Sequence, residues 1–150
     1  MTVSFDTNIL LDVLANRTPF VDVSQKLWEL SELNEIHGVI SILSFNNIFY
    51  IVRKASNEIV ARECLRKLRD VFQPIEIDSK ILHQAMDSQI KNFEDAIQYF
   101  SSIRAKASHL VTRNPVDYPS DPILPVVSPE IFLNIWNSQF GVQPSKKIET

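Results

Sequence analysis

The chain has 150 residues, 45% hydrophobic and 22% charged, with 15 Lys and Arg against 18 Asp and Glu and a net charge of −3. That balance excludes wholesale disorder and a broadly basic nucleic-acid clamp, and the length suits one domain with its own core. Cys64 is the single cysteine and Gly38 and Gly141 are the two glycines, which excludes an internal disulfide, a Cys-rich zinc site and a phosphate-cradling glycine loop.

Val3-Ser4-Phe5 is short and β-prone and stops at Asp6-Thr7-Asn8, so it reads as a strand entering a helix. Ile9, Leu10, Val13 and Leu14 then recur at helical spacing. A loop at 16–19 precedes a helix over about 20–33, and Val39-Ile40 is a second short strand. Residues 43–55 predict a helix buried on most sides, ending at Arg53-Lys54, where cations suit a helix C-terminus. Residues 58–71 predict another, with Cys64, Leu65 and Leu68 inward and Arg62, Arg66 and Arg69 outward, ended by Pro74. Ile75-Glu76-Ile77 alternates like a strand, and Asp78 or Ser79 caps the next helix. Asn92 caps a long helix from 93 to about 106, and 109–112 is a strand. A loop over 113–122 leads to an edge-like strand at 123–127, because Pro125 lacks an N–H. Ser128-Pro129 opens a last helix. The spacing predicts a domain over 1–136 and a mobile C-terminal tail over 137–150. Strands alternating with helices imply a parallel sheet covered on both faces.

In such folds ligands sit beyond the carboxyl ends of the strands. Asp6 ends the first strand there, and Asp117 lies in the loop after the strand ending at Thr112. Glu94 and Asp95 open the helix before that strand and can reach the same edge. Carboxylates held close repel one another, so the natural companion is a hard divalent ion. Magnesium takes oxygen ligands and keeps several waters, and a metal lowers the pKa of the water it holds.

Four segments in order carry a family resemblance. Asp6-Thr7-Asn8-Ile9-Leu10-Leu11-Asp12 resembles the opening of the PIN domain, the fold of VapC-type toxins. The segment 41–50, Ser41 to Tyr50, resembles the family's second motif. Asp95-Ala96-Ile97-Gln98, after Phe93-Glu94, resembles the third, and Val111 to Tyr118 the fourth. The resemblance spans about residues 1–135. It implies a PIN-like three-layer α/β/α sandwich with a short-stranded central parallel sheet. It also implies an endoribonuclease dependent on Mg²⁺ or Mn²⁺. Asp6, Asp95 and Asp117 would be catalytic and, with Glu94, would hold the metal. An RNA substrate, an antitoxin partner and a homodimer follow from the same resemblance. Asn47 and Asn114 stand where active members commonly carry acids; with Arg113, as a planar fork for phosphate, they are the candidate substrate contacts. The alternative reading is a non-catalytic domain that binds RNA or a protein.

Other readings are plainer. Asp6 can serve as a helix cap, Glu94 and Asp95 as first-turn acids that suit the macrodipole, and Asp117 as a turn residue. Asp12 reads as a solvated or helix-structural acid. Asn47, in an apolar helix, is structural or lies in the pocket. His37, His83 and His109 lack the spacing of a metal set, and the arginine stripe at 62, 66 and 69 reads as a solvated face. No apolar run reaches the roughly 18 residues of a membrane span, and the first residues lack the basic start of a secretion signal, so a cytoplasmic setting is expected.

Overall fold

The computed structural model describes residues 1–141. Five strands, β1 (Thr2–Phe5), β2 (His37–Ser41), β3 (Gln73–Ile75), β4 (His109–Val111) and β5 (Val126–Val127), form one parallel sheet in the order β3-β2-β1-β4-β5. The helices are α1 (Thr7–Leu14), α2 (Val21–Glu32), α3 (Ile42–Ala55), α4 (Glu58–Val71), α5 (Ser79–Asp87), α6 (Phe93–Arg104) and α7 (Pro129–Phe140).

Alternation along β1 sorts the layers. Val3 and Phe5 enter a core with Ile9, Leu27, Leu68 and Phe132 from the helices on one face. Ser4 points the other way, where its Oγ lies 2.6 Å from Ser102 Oγ on α6. On that side Leu110 packs with Tyr99 and Tyr118, and Ile81 and Ala85 of α5 meet Ala96 and Ile97 of α6. The expected three-layer α/β/α architecture is therefore present.

The expected helix caps form: Asp78 accepts from Ile81 N at 3.0 Å, Asn92 from Asp95 N at 3.1 Å and Ser128 from Ile131 N at 3.2 Å. Some boundaries differ. The third strand is Gln73–Ile75 rather than 75–77. Pro74 sits inside it because β3 pairs only with β2, and an edge strand tolerates a missing donor. The fifth strand shortens to Val126–Val127, although the Pro125 carbonyl still accepts from Leu110 N at 3.0 Å. Helix α6 stops at Arg104, and Lys106 turns into left-handed backbone at φ 55°. Helix α7 continues to Phe140, past residue 136 where the tail was expected to begin; residues 142–150 of that tail lie outside the described residues. Among the described residues, no helix is long and apolar enough to cross a membrane.

Gly38 of β2 is a close-approach glycine. A Cβ there would stand 2.6 Å from Phe72 Cδ1 and 2.8 Å from Ser31 Oγ. Phe72 is wedged edge-on between Phe5 and Trp28, with ring centroids at 5.5 and 5.0 Å, so it has little room to yield. Gly38→Ala should destabilise the protein by about 1–3 kcal/mol, as overpacking does, read as a lowered midpoint in urea with an unchanged slope.

Candidate active site

The chain leaves β1 towards β2 and reaches β5 from β4, so the connections diverge at the β1–β4 pair. A crevice opens at such a switch point, beyond the carboxyl ends of the strands. Asp6 is the first residue past β1 and Thr112 the first past β4. The register that pairs Phe5 with Val111 sets them side by side.

Asp6 is 9% exposed. It holds the N-cap position of α1 but its side chain makes no capping bond, so it is not the helix cap that was one reading of it. Its Oδ2 accepts instead from Thr112 Oγ1 at 2.6 Å and from Asn8 Nδ2 at 3.2 Å, and Tyr118 Oη lies 3.5 Å away. Among the described residues, these contacts all fall on Oδ2 and leave Oδ1 to the crevice. Asp95, in the first turn of α6, accepts from the same Tyr118 hydroxyl at 3.2 Å. Gln98 Nε2 donates to that hydroxyl at 2.8 Å. Burial first, then the charge of Asp6, pushes the Asp95 carboxyl up to about 6; the Tyr118 hydrogen bond opposes this, while Asp117 and Glu94 add to it. Burial and the two carboxylates push the Tyr118 phenol up as well.

Asp117 ends a single 3-10 turn (Pro115–Asp117) and is exposed; its charge reaches Asp95. Glu94 is exposed at the rim and accepts from Asn47 Nδ2 at 3.0 Å. Half-buried Asn47 therefore belongs to the pocket. Asn114 is exposed, and its backbone N–H donates to Thr112 Oγ1 at 3.2 Å. Arg113 turns away from the crevice. Its Nη2 donates to Asp12 Oδ1 at 3.2 Å, and Nε stands 2.9 Å from Oδ2, close but not aligned as a hydrogen bond. Its guanidinium also lies 4.0 Å over the Phe20 ring. The Asp12 side chain is fully buried, not solvated. Burial raises its pKa, and Arg113 pulls it back.

Two cavities meet at Asp95. One, of about 60 Å³, is lined by Asp6, Ser44, Asn47, Glu94 and Asp95 among others. The other, of about 600 Å³, lies on the far side, against Asp95, Asp117 and Tyr118. The first is all-oxygen in its charged groups and suits a hard cation. Magnesium is commonly held by one or two carboxylates plus waters, and the free Oδ1 of Asp6 with Asp95 can supply them. Among the described residues, no three acidic, histidine or cysteine side chains stand close enough to make an all-protein cage.

A family model described as the PIN domain matches residues 2–115. The chain belongs to the PIN domain family. This PIN domain also has solved structures of similar fold. One is titled a toxin-antitoxin complex from Klebsiella pneumoniae, at 24% identity and a TM-score of 0.63, covering 85% of this chain and 97% of that one. Another is VapBC2 from Rickettsia felis bound to a DNA fragment from its promoter, at 20% identity and a TM-score of 0.65, covering 85% and 98%. No curated protein matches the chain.

Thr112, Gln98 and Tyr118 were missed as site residues by sequence reasoning. The signal for Gln98 was its i+3 spacing from Asp95, which sets both on one face of α6. Thr112 was legible as the first residue past a central strand. Tyr118 closes the segment that resembles the fourth motif, but nothing local marked its hydroxyl as reaching the acids.

Two outcomes follow from the charges. The folded protein holds a proton on Asp95 that the unfolded chain, at an ordinary 3.8, has released. The stability this confers is present below that value and lost as pH rises through about 6. Metal-free protein should therefore melt lower at pH about 7 than at about 4.5 through this group, and Asp95→Asn should reduce that fall. Arg113→Ala leaves the buried Asp12 carboxyl unpaired and should cost about 3 kcal/mol of stability, read by urea denaturation.

Proposed function

We propose that this PIN domain is an endoribonuclease dependent on Mg²⁺ or Mn²⁺ and the toxin of a toxin–antitoxin pair. The observation that carries the reading is the meeting of Asp6 and Asp95 around one buried hydroxyl at the open edge of the sheet. A divalent ion bound there would supply Lewis acidity, making water a nucleophile near neutral pH and offsetting charge that gathers on the phosphate. The chain's own part is orientation. Thr112 and Asn8 fix Asp6 through one oxygen, so the other faces the ion. Asp95 gives the second carboxylate, and Tyr118 holds it in place. Glu94 and Asp117, at the rim, add negative potential that draws the cation in. Asn47 would touch substrate beside Glu94, and Asn114 at the loop opposite.

The two similar folds come from toxin–antitoxin complexes, which supports an antitoxin as the protein partner. Such a partner would offer a cation to the acidic crevice. A homodimer is proposed on the apolar surface of α3, where Ile42, Tyr50 and Ile51 are exposed. A cytoplasmic location goes with this role.

A second reading, a non-catalytic domain that binds RNA or protein, is favoured by one observation: Glu94 is engaged by Asn47, an amide in place of an acid. One experiment separates the two. Wild-type protein should bind Mn²⁺ saturably by calorimetry and cleave RNA. Asp6→Asn should lose both while its melting temperature stays within a few degrees. Cleavage undiminished in Asp6→Asn overturns the proposed mechanism, and wild-type protein that neither binds metal nor cuts RNA selects the non-catalytic reading.

A further inference from the structure

The cavity of about 60 Å³ has room for an ion and a water or two, but not for a nucleobase. The neighbouring cavity of about 600 Å³ lies within the usual range for small-ligand pockets, about 300–1,000 Å³. The two share Asp95, so the larger one adjoins the acids and is within reach of a nucleotide next to a phosphate held there. Its lining is unlike that of the acidic crevice. Ile90 and Phe100, both half-buried, give an apolar wall, and Val116, at 92% exposure, stands at the rim without cover. Lys91, exposed, is the only Lys or Arg among the described residues lining either cavity. Arg113 is committed to Asp12 and Phe20. A polyanion approaching four acids therefore meets one available cation at the site, and that cation is Lys91.

We infer that this larger cavity is a nucleotide subsite that seats one unpaired nucleotide of single-stranded RNA, its phosphate against Lys91 and its base on the wall of Ile90 and Phe100. The inference rests on the ribonuclease reading and adds to it where a neighbouring nucleotide sits and which side chains it touches. A paired base is stacked in its helix and cannot enter a side pocket, whereas an unpaired one can lie against an aromatic or apolar wall. Such contacts are tolerant of sequence, because every base has a face to offer. Lys91 also precedes Asn92, which caps α6, so the phosphate contact and the helix carrying Asp95 are tied within a few residues.

The test uses the whole protein in Ca²⁺, with a labelled single-stranded oligouridylate followed by anisotropy. Lys91→Ala should weaken binding roughly threefold or more and lower the salt slope by about 0.7, the value for one neutralised phosphate on a single strand. Lys91→Arg should restore binding, and Mn²⁺ affinity without RNA should stay as in wild type for both variants. In parallel, isoleucine-methyl NMR of the wild type should show the Ile90 methyl shifting on addition of uridine monophosphate and staying put with ribose 5-phosphate. Ile51 and Ile59, exposed on α3 and α4, serve as unmoved references. If RNA binds but Lys91→Ala binds equally well, or the Ile90 methyl does not move, the subsite is overturned and the ribonuclease reading stands. If the wild type binds no single-stranded RNA at all, the ribonuclease reading fails and takes the subsite with it.

Discussion

The hydroxyl of Tyr118 has one hydrogen and two carboxylates within reach, Asp95 at 3.2 Å and Asp6 at 3.5 Å. Gln98 donates to its oxygen, so the hydrogen is left for the acids. Burial and the two nearby charges raise the phenol's pKa, which keeps that hydrogen in place. A neutral donor thus stands where a cation would be expected between like charges. It steadies the pair without cancelling it, and Asp95 still holds its proton up to about 6. An acidic site kept short of positive charge retains its attraction for a metal ion, and a phosphate can approach only once that ion offsets the carboxylates.

This arrangement depends on strand register. Phe5 pairs with Val111, which brings Thr112 beside Asp6. A one-residue slip would turn either Thr112 to the opposite face of the sheet, if β4 moved, or Phe5 out of its core, if β1 did. The hydrophobic burial of Val3, Phe5 and Val111 therefore sets the position of the carboxylate as well as the fold. Helix α6 contributes through a polar row. Asp95, Gln98 and Ser102 follow one another at i+3 and i+4, and Ser102 reaches Ser4 of β1. The apolar residues between them pack sideways onto α5 and onto Leu110.

The sequence made the periodic parts legible. Helix α4 matches its expected span, residues 58–71, because one face carries Ala61, Cys64 and Leu68 and the other carries charge. Asp6 and Asp95 were legible because each adjoins an element boundary that local signals define. Strand β3 was displaced because Pro74 reads as a breaker, and only its edge position in the sheet permits it. Arg113 was misread, and the choice between a solvated and a helix-structural Asp12 was left open, for a different reason. They lie 101 residues apart, and no local pattern tells a solvated acid from one buried against a distant guanidinium. Tyr118 is likewise 112 residues from Asp6 and sits in a loop without periodicity.

The misplaced arginine explains something about the site. Arg113 follows Thr112 directly, and its chain segment continues through Asn114 and Asp117 to Tyr118. Fastened to Asp12 of α1 and laid over Phe20, Arg113 pins the start of that segment to the helix that Asp6 begins. The two halves of the crevice, one after β1 and one after β4, are joined behind the acids by this pair. A guanidinium pointing forward instead would form an ion pair with Asp6 or Asp95 and neutralise the charge that the crevice concentrates. Withdrawing it into the protein holds the segment firmly and keeps the crevice negative, while positive charge for a bound anion is left to Lys91, on the far side of Asp95.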